Sequence, residues 1–370
     1  MVCEGGRRFG VRLLAVVALL IAGCARRPSG PPIPVVENVA DHEVVRMPLL
    51  ALTGAVRSDV EQVVVEHQGQ HRAWPAAAGH FKALVLLSPG DNRIRVTTTA
   101  GATEALVTYR AGTNDHRVRL VYIVPSDAEG DFQAPPGEPA DLDSALRRLA
   151  LAGRLLQTAT AEMMHQAGFG RRTFALVEDE DGSPDVTVLR TSLTTEQAQA
   201  MGGLQLWWHF RGELLERFAD EADRTKYLAV MSMTRFVPGR GQPYAHTALG
   251  EGPLALIGGG ALHTWAQSLD ELPVRFNDQR RCADFDLFDD SAFRGTFWAA
   301  YATSLGSALH ELGHAFGLVH SGDKHGVMER GFDHINRLFL AAEGGEPYAD
   351  EGIRWAPASA AQLADSPWFE

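Results

Sequence analysis

Cysteine is all but missing from this chain, with three in 370 residues. Cys3 and Cys24 fall in or beside an N-terminal apolar segment, so Cys282 has no partner and a disulfide framework is excluded. Membrane-spanning runs are missing too: the apolar stretch LLAVVALLIAG, residues 13–23, is too short to cross a bilayer as a helix. Nor is there an excess of positive charge. Lys and Arg number 34 against 46 Asp and Glu, a net charge of -12, which argues against a nucleic-acid surface. No internal repeat and no second low-complexity tract occurs, and the length suffices for ordinary hydrophobic cores without covalent staples.

What is present begins with a leader. Arg7, Arg8 and Arg12 precede the apolar stretch in the manner of a secretory signal over residues 1–23. The run ends IAGC, and Ala22 and Gly23 directly before Cys24 resemble the lipobox of bacterial lipoproteins. That resemblance implies lipid on Cys24 and membrane attachment facing the periplasm or cell surface. It points to the outer membrane in a Gram-negative host, because Ala25 is not the aspartate that retains many lipoproteins at the inner membrane. An ordinary signal peptide with Cys24 incidental is the alternative. Loss of residues 1–23, with three arginines against Glu4, takes the net charge from -12 to -14. Residues 24–34, including RRPSGPPIP, read as a proline-rich, semi-rigid tether.

Residues 35–112 show a period near two, in VEQVVVEH, FKALVLL, NRIRVTTT and EALVTYR, with turn signals such as SPGDN between them. This pattern predicts a small all-β sandwich resembling the immunoglobulin-like modules of bacterial surface proteins, read here as a spacer between membrane and catalytic region. From residue 113 to 370 strand-like and helix-like stretches alternate. VRLVYIV is followed by the amphipathic DLDSALRRLALAGRLLQTATAEMMHQAG, then TFALVED, DVTVLR, LWWHFRGELLERFADEA, YLAVMSM and LALIGG. Such alternation predicts an α/β (α+β) domain with a mixed or parallel sheet under helical cover. Trp207, Trp208, Met163 and Met164, at helical spacing, are expected in the core.

The stretch Thr296 to Phe316 reads as a long helix. At about 100° per residue, Trp298, Tyr301, Leu305, Ala308, Leu309, Leu312 and Phe316 gather on one side. His310 and His314, one turn apart, face the other way among Thr303, Gly306, Ser307, Gly313 and Gly317. In HELGHAFGLVH, residues 310–320, two histidines at i and i+4 can offer imidazole nitrogens to one ion. Glu311 can reach a water at that ion without being a ligand. Gly317 lets the chain turn back and deliver His320 as third ligand, which leaves the fourth position open.

These residues match the metzincin signature HExxHxxGxxH, and Met328 in HGVMER resembles the Met-turn of that clan. VYIVPSD, GFGRRTF, SLDELPVRFNDQR and GFDHINRLF extend the likeness over most of residues 118–370, and the chain resembles the Metallopep family of zinc metallopeptidases from bacteria and fungi. The resemblance implies a metzincin-like fold with a twisted mixed sheet, a long first helix, an active-site helix and a C-terminal helix. It also implies one catalytic zinc, a peptide or protein substrate, and Glu311 as general base of an endopeptidase. LALIGGG, residues 254–260, resembles the edge strand that receives substrate backbone by β-addition. Where astacin-like and serralysin-like members place a tyrosine two residues after the Met-turn methionine, this chain has Arg330, so no tyrosine role is assigned.

Two alternatives remain open on sequence: a zinc amidase acting on a cell-wall amide, and a surface lipoprotein whose zinc is structural, with His325 or Asp323 as fourth ligand. The acidic run DFDLFDD, residues 284–290, reads as a charged loop and Cys282 as a poor match to an inhibitory propeptide cysteine. The lipobox reading predicts that fatty-acid labelling of the expressed protein is abolished in Cys24→Ser; undiminished labelling would refute it.

Overall fold

The computed structural model describes residues 29–348 and 352–370; the leader and Cys24 lie outside the described residues. The first part is all β: β1 (Val35–Val36), β2 (Glu43–Val45), β3 (Leu49–Ala55), β4 (Gln62–His67), β5 (Gln70–Ala77), β6 (His80–Leu86), β7 (Gly90–Thr98) and β8 (Gly101–Tyr109). They pair in the order β1-β3-β6-β5-β4-β7-β8-β2. Alternation along each strand decides which side chains are buried. In β7, Asn92, Ile94 and Val96 point inward while Arg93 and Arg95 face solvent, and the interior closes around Leu50, Leu52, Val63, Trp74 and Phe81.

The second part comprises β9 (Arg117–Val124), α1 (Leu142–Gln166), β10 (Ala175–Leu176), β11 (Val186–Arg190), α2 (Thr195–Ala200), α3 (Gly203–Arg217), β12 (Thr225–Met231), β13 (Ala248–Glu251), β14 (Leu254–Gly258), α4 (Leu272–Arg275), α5 (Phe297–Ala315) and α6 (Pro357–Ala364). Its sheet runs β10-β9-β12-β14-β13, with β11 also on β9. Every pairing is parallel except β13 with β14. Parallel strands buried on both faces read as continuous apolar runs, and β9 and β12 do. Their alternate residues serve two cores. Leu120, Tyr122, Leu228 and Val230 join residues of α1 and α5, whereas Val121, Ile123, Ala229 and Met231 pack on Leu206, Trp207, Phe210 and Leu214 of α3.

Three expectations need correction. Trp208 is 56% exposed whereas Trp207 is core; adjacent helix positions point about 100° apart, and only one faces the sheet. LALIGG forms β14, an interior strand, because its apolar side chains need cover on both faces. The free edge is β13, whose sequence ALGE is exposed at both ends. Finally, TFALVED yields only the two-residue β10.

The β unit is braced against α1 and not merely strung before it. One hydrophobic cluster runs through both parts, and Thr158 Oγ1 of α1 donates to Leu49 O at 2.7 Å. Arg171, buried, donates from Nε to Glu162 Oε1 at 2.6 Å and also engages Glu43 and the Asn38 carbonyl. Asn38 Nδ2 in turn donates to Glu162 Oε2 at 3.1 Å. Removing one partner of a buried pair leaves the other charge uncompensated, which costs about 3–5 kcal/mol. Arg171→Ala is therefore expected to lower unfolding free energy in chemical denaturation by about 3 kcal/mol or more, while exposed Arg93→Ala stays within about 0.5 kcal/mol.

Candidate metal centre

Helix α5 is built to be covered on nearly every side. Its residues from Phe297 to Gly313 are buried except Ser307, and Tyr301 stacks on Phe276 with ring centroids 4.1 Å apart. At its end Gly317 takes φ +87°. Gly317 N donates to His314 O and Leu318 N to Gly313 O, at 2.9 and 3.0 Å, the paired bonds of a Schellman ending. The chain then reverses and brings His320 back beside the helix.

The three Nε2 atoms form a nearly equilateral triangle: His310 to His314 3.1 Å, His314 to His320 3.3 Å and His320 to His310 3.3 Å. Nitrogens held about 2.0–2.1 Å from one tetrahedral ion lie about 3.3–3.4 Å apart, so the donor set fits a single zinc. The outer nitrogens fix the tautomer. A carbonyl only accepts, so Nδ1 of His310 donates to Val327 O at 2.8 Å and Nδ1 of His314 to Leu318 O at 2.9 Å. Both Nε2 lone pairs are thereby left for a metal. Burial pushes the His310 imidazole down to about 4 and lowers that of His314, which favours the neutral, ligating form. His310 is buried, His314 half-buried and His320 exposed, so the triangle opens to solvent on one side.

Glu311 lies beside the triangle and not in it. Burial raises its carboxyl to about 7, opposed by the backbone N–H of Gly250 on the edge strand β13. Met328 is buried beneath the ligands; a side chain at Gly313, between His310 and His314, would meet its Sδ at 2.5 Å. The following 3-10 segment, Gly331–Leu338, packs along α5 and sets Phe332 with its ring centroid 5.0 Å from that of His310. Of the small residues bordering the histidines, Gly306 seats this segment and Gly313 admits Met328, while Thr303 and Ser307 line the open cavity. What stays open is a cavity of about 360 Å³ lined by His310, Glu311 and His320 and by His246, Asp290 and Arg330. A larger hollow of about 550 Å³ lies at the junction with the β unit; its lining includes none of the three histidines.

Among the described residues no other His, Cys, Asp or Glu joins the triangle. Asp323 is engaged by Arg354 at 2.8 and 3.0 Å, and His325 lines a separate depression with Lys324, so neither supplies a fourth ligand. The acidic run 284–290 gathers no metal-binding group. Cys282 is buried against Leu287, Phe297 and Ala300, its thiol pushed up to about 12 by that burial, and it does not line the cavity. Sequence reasoning missed His246 altogether and took Asp290 for loop charge. Neither stands at a fixed spacing from the ligands, so no local pattern marks them. Arg330 is exposed, as a surface arginine should be, yet it lines the cavity.

A family model described as “Metallopep: Putative peptidase family” matches residues 34–366. A “Putative zinc metalloproteinase” of Schizosaccharomyces pombe is 28% identical over 337 residues, 84% of this chain and 54% of its own length. One of Saccharomyces cerevisiae is 27% identical over 349 residues, 83% of this chain and 49% of its own length. This chain thus spans about half the length of these curated relatives. Among solved structures, wild-type OgpA from Akkermansia muciniphila is similar at a TM-score of 0.46 and 18% identity, over 70% of this chain and 63% of that chain. Archaemetzincin from Methanopyrus kandleri is similar at 0.31 and 14% identity, over 68% of this chain and 96% of that chain.

Gly306 tests the seating of α5. Alanine in a helix interior gains about 0.8–1.0 kcal/mol over glycine, but here its Cβ would stand 1.9 Å from Phe332 O, a backbone atom. The clash outweighs the propensity. Gly306→Ala is expected to lower the thermal midpoint, and a rise in that midpoint would show that the helix and the 3-10 segment are not in contact as described.

Proposed function

The chain belongs to the “Putative peptidase family” Metallopep, and from that premise we propose that it is a lipid-anchored, extracytoplasmic zinc endopeptidase with Glu311 as general base. The observation that supports this best is the triangle of three Nε2 atoms, open on the His320 side, with a buried carboxyl next to it. A structural site would be closed by a fourth protein ligand. When bound, zinc polarises a scissile carbonyl and lowers the pKa of a water toward neutrality.

The remaining work falls to the chain's own residues. His310, His314 and His320 hold the ion, and their carbonyl partners Val327 and Leu318 keep the rings oriented. Glu311 takes a proton from the attacking water and returns it to the leaving amine, a role suited to a carboxyl raised toward neutrality. Met328 packs beneath the ligands as an adaptable apolar filler and does not ligate. The free edge of β13, which carries Gly250, offers backbone groups to an extended peptide by β-addition. The β unit is read as immunoglobulin-like, placed between a lipidated Cys24 and the catalytic part, in the outer membrane if the host is Gram-negative. The names of the two yeast relatives support a zinc-dependent peptide hydrolase.

Glu311→Gln and His314→Ala separate base from ligand. The first should retain zinc by metal analysis while peptide cleavage falls at least about 10²- to 10⁴-fold, the usual worth of a positioned general base. The second should lose zinc and cleavage together. Full cleavage by Glu311→Gln would remove the glutamate from the mechanism.

A further inference from the structure

Beyond the metal, the cavity has a wall with no assigned task. Ser307 and Thr303 lie on the His310 face of α5, one and two turns toward its N-terminus. Asp290 and His246 face them from the loops that precede α5 and β13, and Arg330 stands opposite on Phe332. Only Ala248 and Phe332 contribute apolar side chains to the lining.

We propose that this wall is a specificity pocket for a neutral substrate side chain bearing both a hydrogen-bond donor and an acceptor, a carboxamide or hydroxyl, on one of the two residues flanking the cleaved bond. Asp290 accepts from that group and Arg330 donates to it. The inference rests on the peptidase reading above and names the class of substrate for the same site.

Two observations carry it. Asp290 makes no hydrogen bond or ion pair among the described residues, although burial pushes its carboxyl up and only the charges of His246 and Arg330 oppose this. A poorly solvated carboxyl without a partner is costly, and here it faces a hollow that a substrate would fill. His246, edge-on to Phe288 with centroids 5.1 Å apart, lines the wall with its ring, while its Nδ1 is buried beside Gly258 out of a substrate's reach. Arg330 is fixed: Nε and Nη2 donate to Asp333 at 2.9 and 3.0 Å, and its guanidinium lies 4.8 Å from the Phe332 ring centroid. Nη1 makes no hydrogen bond among the described residues and stands at the cavity wall.

The charges choose among side chains. An acidic group would meet Asp290 and Glu329; a basic one is drawn to the same carboxylates but is crowded by the Arg330 guanidinium that Asp333 fixes at the wall. An aliphatic group would bury the Asp290 carboxyl unsatisfied, at the desolvation cost of a charged group. A carboxamide or hydroxyl gives a proton to Asp290 and takes an N–H from Arg330.

The test is cleavage of a peptide library by the zinc-loaded full chain, varying each flanking residue in turn. Asn, Gln, Ser or Thr at one flanking position should exceed Leu, Phe, Lys and Glu by at least about 10² in kcat/KM. That is below the roughly 10⁴ to 10⁵ of enclosed hydrogen-bonding sites, because this cavity is open. Asp290→Ala and Arg330→Met should each collapse the Asn-to-Leu ratio to within about tenfold. The ratio compares two peptides on one enzyme, so a general loss of activity cancels, and the wild-type profile decides even if a variant fails to fold. Preference for aliphatic or charged residues at both positions overturns the pocket and leaves the peptidase standing, as does an unchanged ratio in both variants. No cleavage of any peptide by zinc-loaded protein overturns the peptidase reading and the pocket with it.

Discussion

The site depends on two hydrogen bonds that do not touch a substrate: Nδ1 of His310 to Val327 O and Nδ1 of His314 to Leu318 O. They fix which nitrogen of each ring carries the proton and tie helix α5 to the two turns that follow it. The Leu318 bond holds the reversal that delivers His320. The Val327 bond holds Met328 under the ligands and the 3-10 segment against the helix. A helix bearing HELGH alone would present two rotating imidazoles; with these carbonyls in place, three nitrogens meet within 3.3 Å.

The same cover connects the β unit to the cavity. Lys82 of β6 donates to the Arg337 carbonyl, and Arg337 and His334 both engage Glu343, the latter at 3.2 Å. Arg294 donates to Thr303 Oγ1 at 2.8 Å and to Asp333 O at 2.7 Å, and Asp333 holds Arg330. A continuous run of charged and polar contacts thus joins an all-β surface to the cavity wall. The family model begins at residue 34 and takes in both parts, in keeping with their shared core.

The zinc-ligand candidates were legible in the sequence because they fall within eleven consecutive residues, where helix periodicity and one glycine set the geometry. The parallel sheet was legible because β9 and β12 are apolar on both faces. What escaped is non-local. Nothing in PYAHTAL marks His246 as a neighbour of Asp290, since a loop before an edge strand and a loop before a helix meet only in the folded chain. LALIGGG was misplaced for a related reason: apolar content reveals a buried strand, and a buried strand is not an edge. Trp208 was misjudged because composition at helical spacing does not say where the buried stripe ends.

The place of β9 at the centre of the sheet bears on how the molecule is reached from an extended chain. Its partners are β10, β11 and β12, all far downstream, with α1 between. Closure of long segments must precede any gain from these pairings, which slows folding and prolongs exposure of apolar surface. Until residues 225–231 are available, the VRLVYIV segment has an unpaired edge, although α1 and α3, which cover its two faces, are already made. The metal-binding turn, later still in the chain, takes shape on a sheet whose assembly sets the pace.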